Sequence, residues 1–176
     1  LSEDEQSKVN GGYLSYVNTT NIYPEIYSWA ATSTDGAISQ KLVETADGYN
    51  ILRRGRERDG GKEAFASHIL ICYLGATNCA APQYTKEEAR AKAQELYTQA
   101  TGDNFSELAE ANSTDQTVSL NKGSLGWVPV GLTVPEFENA LFSAQNGQII
   151  GPVETQFGFH IIFKQDERLA KEYEVW

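Results

Sequence analysis

Methionine is absent from the 176 residues, and histidine and cysteine occur only twice each. Without Met, a chain opening on Leu1 reads as a processed form or an excised fragment, from which a targeting segment could have been lost. No apolar run reaches the roughly 20 residues that a membrane-spanning helix needs, and no charged-then-apolar leader opens the chain. Basic residues are scarce too. The 14 Lys and Arg stand against 24 Asp and Glu, and the net charge of -10 disfavours a phosphate-backbone partner, so nucleic acid binding is not expected. The length suits one domain with its own core, or one domain and part of another.

Cys72 and Cys79 enclose six residues in "CYLGATNC", close enough to close a small disulfide loop. A disulfide, and with it an oxidising, extracytoplasmic compartment, is the favoured reading; two half-buried free thiols are the alternative. His68 precedes Cys72 by four residues, which on an extended strand separates the side chains by roughly 13 Å. No metal site is expected, and no cofactor.

The chain echoes itself. At a constant offset of 111, Ser2, Asp4, Asn10, Gly12, Leu14, Val17, Pro24, Glu25, Gly36 and Ile38 meet identical residues in the second half. At an offset of 110, Val43, Glu44, Thr45, Gly48 and Ile51 do the same. Glycines and prolines recur at matched positions, so the turns repeat and not merely the composition. The first copy lacks the strand and two helices that precede Ser113 in the second. The expected organisation is therefore a C-terminal half-repeat at 1–52, a charged, Gly-bearing linker at 53–62, a complete domain at 63–165 and a tail at 166–176 of undecided structure. Such a half-repeat cannot close its sheet alone. It is expected to be partly disordered, packed on the second copy, or completed by an upstream segment or partner chain.

In the complete copy, "AFASHILICY" reads as a buried strand. "TKEEARAKAQELYTQATG" reads as a helix with a Thr85/Glu88 capping box and an apolar stripe of Ala89, Ala93, Leu96, Tyr97 and Ala100. "NFSELAEAN" repeats the capping pattern at Asn104 and Glu107, and "GSLGWVPV" reads as a strand. "VPEFENALFSAQNG" reads as a helix with Pro135 in its first turn, and two short strands follow. This order predicts an α+β fold around a small sheet. Both histidines fall in strands. Alternation puts His68 on a face with Ala66, Leu70 and Cys72, and His160 on a face with Gly158 and Ile162, so neighbouring strands would set the imidazoles side by side. Thr155 and Asp115 are the hydroxyl and carboxylate candidates to fix their tautomers.

"ASHILI", "FSELAEANSTD", "KGSLGWV", "VPEFENALF" and "GQIIGPVETQFGFHII", in this order and spacing, resemble the parvulin family of peptidyl-prolyl cis/trans isomerases. The resemblance covers about Ala64 to Lys164 in full, and Leu1 to Arg53 as the trailing half of a degenerate copy. It implies a four-stranded antiparallel or mixed sheet with surrounding helices, and catalytic positions at His68, Asp115, Thr155 and His160. It also implies a proline pocket from Leu132, Thr133, Val134 and Phe137, with Trp127 and Phe157 at the substrate site. Thr133 departs from the Met or Leu of the family. The loop after the first strand carries no Lys or Arg before Lys86, so unmodified, unfolded or secreted proline-containing chains are the expected clients rather than phosphorylated ones. In the first copy Asn50 stands for His160, Tyr16 for Trp127 and Ile26 for Phe137. The resemblance thus implies an extracytoplasmic folding isomerase, secreted, periplasmic or anchored by a segment outside this chain. The alternative is a non-catalytic client-binding chaperone on the same scaffold.

Overall fold

The computed structural model describes residues 2–176. In chain order it contains a 3-10 turn at Lys8–Asn10, strand β1 (Ser15–Val17), helix α1 (Pro24–Thr32), strands β2 (Val43–Thr45) and β3 (Gly48–Asn50), and the long strand β4 (Arg54–Ile71). Helices α2 (Lys86–Gln99), α3 (Phe105–Asn112) and α4 (Val118–Asn121) follow, then β5 (Ser124–Pro129), α5 (Pro135–Ser143), β6 (Ile149–Thr155) and the long β7 (Gly158–Val175). The contacts divide into two units, Lys62–Arg168 and the residues up to Gly61 together with Leu169–Trp176. Both long strands therefore contribute to each unit.

In the unit Lys62–Arg168 the strands run in the order β6, β7, β4, β5, all antiparallel where their register is defined. Period-two alternation sorts its apolar residues onto two faces. Ile69 and Ile71 of β4 and Phe159 and Ile161 of β7 pack beneath Ala89, Ala93 and Leu96 of α2 and Phe105 and Ala109 of α3. On the other face Ala64, Ala66, Val128 and Ile162 pack against Phe137 and Leu141 of α5. Each large side chain buried here contributes about 1.5–3 kcal/mol.

Helix α2 begins with the Thr85/Glu88 capping box, in which each residue's side chain meets the other's backbone or side chain. The capping expected at Asn104 does not form. Its side chain reaches backwards instead, accepting from the Thr101 amide at 2.7 Å and donating to the Gln99 carbonyl at 3.0 Å, so it ties the preceding turn together. The four-residue α4 has no signature in the pattern. It ends at left-handed Lys122, and Gly123 follows with φ +82°. A Cβ on Gly123 would sit 2.5 Å from the His68 carbonyl oxygen, and one on Gly158 (φ +140°) 2.5 Å from that of Ile71. Only glycine permits these approaches to the strand that carries His68.

In the other unit, β1 pairs with the end of β7 through Ser15↔Val175, Tyr16↔Glu174 and Val17↔Tyr173. Arg53 and Trp176 exchange backbone hydrogen bonds at 2.8 and 2.9 Å. The core is Val17, Ile26, Ala30, Leu52, Tyr173 and Val175. Two corrections follow. The segment 53–62 is no linker, because Arg54 onward is strand; the tail 166–176, undecided from sequence alone, is strand continuous to Val175. Nor is the half-repeat left open, since Leu169–Val175 supplies the strand beside β1. The two segments share a pattern. Glu57 and Arg58 match Glu167 and Arg168 at offset 110, and Lys62 and Glu63 match Lys171 and Glu172 at offset 109. Their charges pair across the ladder, Arg56 with Glu174 at 3.3 Å, Arg58 with Glu172 at 2.6 Å and Lys171 with Asp59 at 2.6 Å. Such pairs set register more than they add stability.

Left-handed backbone recurs at the offsets of the sequence echo: Gly12 (+84°) and Gly123 (+82°), Ser15 (+72°) and Gly126 (+66°), Gly36 (+80°) and Gly147 (+82°), Gly48 (+137°) and Gly158 (+140°). Burial differs. Tyr49 and Ile51 are 68% and 70% exposed, whereas Phe159 and Ile161 at the matching positions are 2% and 0%. The second pair lies under α2 and α3, which have no counterpart among the described residues of the first unit.

Removal of Leu169–Trp176 is expected to unfold the first unit, because Tyr173 and Val175 furnish two of its six buried apolar side chains. Hydrogen exchange should then show unprotected amides at Val17 and Leu52 with protection retained at Ile69 and Ile161. Persistent protection at Val17 would refute the closing role of this strand.

Candidate active site

His68 of β4 and His160 of β7 project from the sheet face that Phe137 covers. Their Nδ1 atoms lie 3.3 Å apart, and the rings are stacked at 5.5 Å and 17°. The Phe137 ring meets both edge-on, at 6.0 Å from His68 and 5.3 Å from His160. Thr155 pairs with Gly158 at the end of the β6–β7 hairpin, which brings its Oγ1 within 2.9 Å of His160 Nε2. The Phe157 amide donates to the same hydroxyl at 3.1 Å. At the other end, Asp115 Oδ2 lies 3.2 Å from His68 Nε2. This contact is close but misaligned for a hydrogen bond, so it acts as an electrostatic one. Asp115 Oδ1 accepts from the Thr117 amide and hydroxyl, both at 2.7 Å. The segment bearing Asp115 is itself fastened to β4, where Ser113 Oγ accepts from the Leu70 amide at 3.0 Å and Thr114 Oγ1 from the Cys72 amide at 2.9 Å.

Two proton arrangements fit these contacts: in one, His68 carries both protons and donates to His160 Nδ1, and in the other both imidazoles are neutral. In the second, the carboxylate draws the proton of His68 to Nε2, which leaves its Nδ1 as acceptor. His160 then donates from Nδ1 and accepts the Thr155 hydroxyl proton at Nε2, while Thr155 accepts from Phe157. Both require a neutral His160. Burial, and then the neighbouring His68, push the His160 pKa down from 6.5 to about 3, and Asp115 opposes the shift weakly. Contact with His68, followed by the Thr117 hydrogen bonds, holds the Asp115 carboxyl well below the usual carboxylate range against a smaller opposing effect of burial.

The array forms the floor of a cleft of about 880 Å³. Of the residues singled out in the sequence, His68, Asp115, Leu132, Thr133, Val134, Phe137, Phe157 and His160 line it. Thr155 stands behind His160. Trp127 does not line the cleft. It lies opposite Phe65 on the ladder, 5.4 Å from that ring and beneath the Arg168 guanidinium at 3.8 Å, so alternation turns it to the other face. Thr133 places a buried, unpartnered Oγ1 in an otherwise apolar wall. The sequence reading missed Leu125 and the segment Ala76–Ala80, both in the lining. Leu125 was hidden beside the Trp of "GSLGW", whereas the cysteine pair was the available signal for the loop. Cys72 and Cys79 are joined by a disulfide, with Cα atoms 5.8 Å apart. Among the described residues no group of three or more His, Cys, Asp and Glu is arranged to hold a metal.

Comparison with known proteins agrees with this geometry. A family model for the PPIC-type PPIase domain matches residues 49–168, and a second model of the same description matches residues 1–55. The chain belongs to the PPIC-type peptidyl-prolyl isomerase family, the parvulins. The chaperone SurA of Nitrosococcus oceani is 31% identical over 170 residues, an alignment covering 94% of this chain and 38% of that protein. The chaperone SurA of Burkholderia orbicola is 30% identical over 173 residues, covering 97% and 38%. This chain thus spans well under half the length of these relatives. A solved PpiC-type peptidyl-prolyl cis-trans isomerase domain, 26% identical, superposes with a TM-score of 0.53 over 63% of this chain and 95% of that one.

The pH dependence follows from the depressed pKa values. Between pH 6.5 and about 3 the unfolded chain protonates this histidine and the folded chain does not, so this contribution is complete above 6.5 and is lost as pH falls. The slope is at most about 1.4 kcal/mol per pH unit. Asp115 adds a loss in the same direction below the ordinary carboxylate range. Imidazole nitrogen NMR should show His160 neutral down to pH 4. A midpoint near 6.5 would contradict the neutral His160 of both arrangements.

Proposed function

We propose that Lys62–Arg168 catalyses cis/trans isomerisation of Xaa-Pro bonds in unphosphorylated, unfolded polypeptides and thereby assists folding outside the cytoplasm. The observation that carries this reading is the apolar cleft floored by two coupled imidazoles, with Phe137 edge-on to both. The disulfide and the likeness to proteins named as chaperones support an extracytoplasmic setting. Among the described residues no helix is long and apolar enough to cross a membrane.

The chemistry needs neither a bonded nucleophile nor a cofactor. Amide resonance places negative charge on the carbonyl oxygen and positive charge on nitrogen, and its loss on twisting is the origin of a barrier of about 18–20 kcal/mol. An environment that disfavours this charge separation favours the twisted state. Leu125, Leu132, Val134 and Phe137 supply apolar contact for the proline ring and displace water from it. Asp115 sets a negative charge at the same floor, which opposes charge build-up on a nearby carbonyl oxygen. A neutral His160 adds no cation that would stabilise the planar form. Each tenfold of acceleration requires about 1.4 kcal/mol of such preference.

The first unit serves as a scaffold or client-binding element without this activity. Asn50 donates to Thr45 Oγ1 and the Val43 carbonyl, both at 3.2 Å, where the second unit has its Thr155–His160 contact. The strand beside β1, Leu169–Val175, carries no histidine.

Exchange NMR on short Ala-Pro peptides tests the assignment. His160→Asn is expected to reduce acceleration by at least about tenfold, equivalent to about 1.4 kcal/mol of transition-state preference. Peptide binding by the wild type without acceleration would instead favour the client-binding module.

A second comparison addresses phosphate. The cleft lining contains no Lys or Arg and one carboxylate, so a phosphothreonine-Pro peptide should bind more weakly than Ala-Pro, with the difference shrinking as salt is raised. Tighter binding of the phosphopeptide would overturn the substrate class.

A further inference from the structure

We propose that the Cys72–Cys79 disulfide is a substrate-binding element: it holds the segment Ala76–Ala80 as the cleft wall that receives the residues flanking the proline. This rests on the reading of the cleft as a proline site. The apolar contacts of Leu125, Leu132, Val134 and Phe137 are suited to the ring itself. The residues next to it in the bound chain then meet the remaining lining, of which Ala76, Thr77, Asn78, Cys79 and Ala80 form one continuous stretch.

The stretch belongs to the connection between β4 and α2, which contains no helix or strand. Three ties shape it. The Leu74 amide donates to the Tyr84 carbonyl at 2.9 Å, and the Thr77 amide to the Gln156 carbonyl at 2.8 Å. The third tie is the disulfide. Its Cys72 end is buried at 3% exposure and bound through its amide to Thr114 Oγ1, one residue from Asp115. Its Cys79 end lies in the cleft lining. The covalent link thus runs from the framework of the carboxylate to the facing wall. Asn78, just before Cys79, has left-handed φ +57°, a conformation asparagine adopts more readily than most residues. Cutting the link frees the wall and leaves the floor in place, because the His68, His160, Thr155 and Asp115 contacts involve neither cysteine.

The consequence is a separation of binding from catalysis. An open loop must be ordered by each incoming peptide, which weakens affinity without altering the groups around the twisting bond. The wall is also free of ionisable side chains from Leu74 to Pro82, its one cysteine being in the disulfide, so it selects flanking residues by shape and neutral hydrogen bonding rather than by charge.

The test compares the oxidised protein, the protein reduced with dithiothreitol and the double variant Cys72→Ser/Cys79→Ser. Dithiothreitol delivers two electrons, opens the S–S bond to two thiols and leaves as its own cyclic disulfide. Thr77→Pro is a further variant; it removes the amide bonded to Gln156 and retains both cysteines. Thermal melts and the His160 imidazole signals establish that each form is folded with its floor intact. Ala-Pro peptide affinity is read by NMR titration, and KM and kcat by exchange. Opening the link is expected to raise Kd and KM about tenfold, with kcat within about threefold. Thr77→Pro should move them in the same direction. Unchanged Kd and KM in the folded, reduced protein would overturn the proposal, and so would a fall confined to kcat. If the oxidised protein binds peptide but does not isomerise it, the isomerase reading fails while the Kd comparison still decides the role of the disulfide. If it binds no peptide, both fail.

Discussion

The 3.3 Å separation of the two Nδ1 atoms is compatible with only one proton between them. Were both imidazoles protonated at Nδ1, the two donors would face each other in a site where each ring is largely buried. The contact therefore limits the pair to one shared proton at Nδ1. At the far side of His68 stands the Asp115 carboxylate, and at the far side of His160 the Thr155 hydroxyl. Gly123 and Gly158 let the neighbouring backbone lie against the carbonyls of His68 and Ile71. Proton order and the polarity of the cleft floor thus turn on one buried contact.

Much of this was legible in the residues. Period two placed His68 with Ala66 and His160 with Ile162, and those apolar neighbours share one face of the sheet in the structure. The stripe Ala89, Ala93 and Leu96 is the buried side of α2, because three- and four-residue spacing leaves a helix little choice of face. Trp127 shows the limit of the same reasoning. A motif gives its residues in order but not the face on which each emerges, and the register shift between Ala66 and Ser67 intervenes where β4 meets β5. Helix α4 was illegible for another reason. Four residues complete a single turn and cannot display a period.

The segments 54–61 and 169–175 failed to read as strands because the determinant of each lies in the other. "RGRERDGG" alone is charged and Gly-bearing, the composition of a flexible connection, and "LAKEYEV" alternates only weakly. Together they are complementary: Arg56 and Arg58 meet Glu174 and Glu172, and Lys171 meets Glu57 and Asp59. The buried guanidinium of Arg54 shows how far such a side chain can be drawn inwards, since it is bound to Asp35 and Glu57 and lies 4.7 Å above the Tyr173 ring. Strand formation here is a property of the pair. No window along one segment contains it.

The two units also separate what specifies a backbone from what specifies a site. Gly12, Gly36 and Gly48 adopt nearly the φ values of Gly123, Gly147 and Gly158, so the turns are present in both. The supporting hydroxyl is present in both as well: Thr45 accepts from Asn50 at 3.2 Å, and Thr155 contacts His160 at 2.9 Å. The threonine hydroxyl thus has a partner at this position in both units, an amide in one and an imidazole in the other. It does not have an isomerase as its necessary company. What distinguishes the units is the partner across the sheet, for an amide at position 50 could neither pass a proton order to a neighbouring imidazole nor find one on Leu169–Val175. The informative feature of the second unit is therefore the pair of histidines on adjacent strands, with its carboxylate, and not any one of the residues that support it.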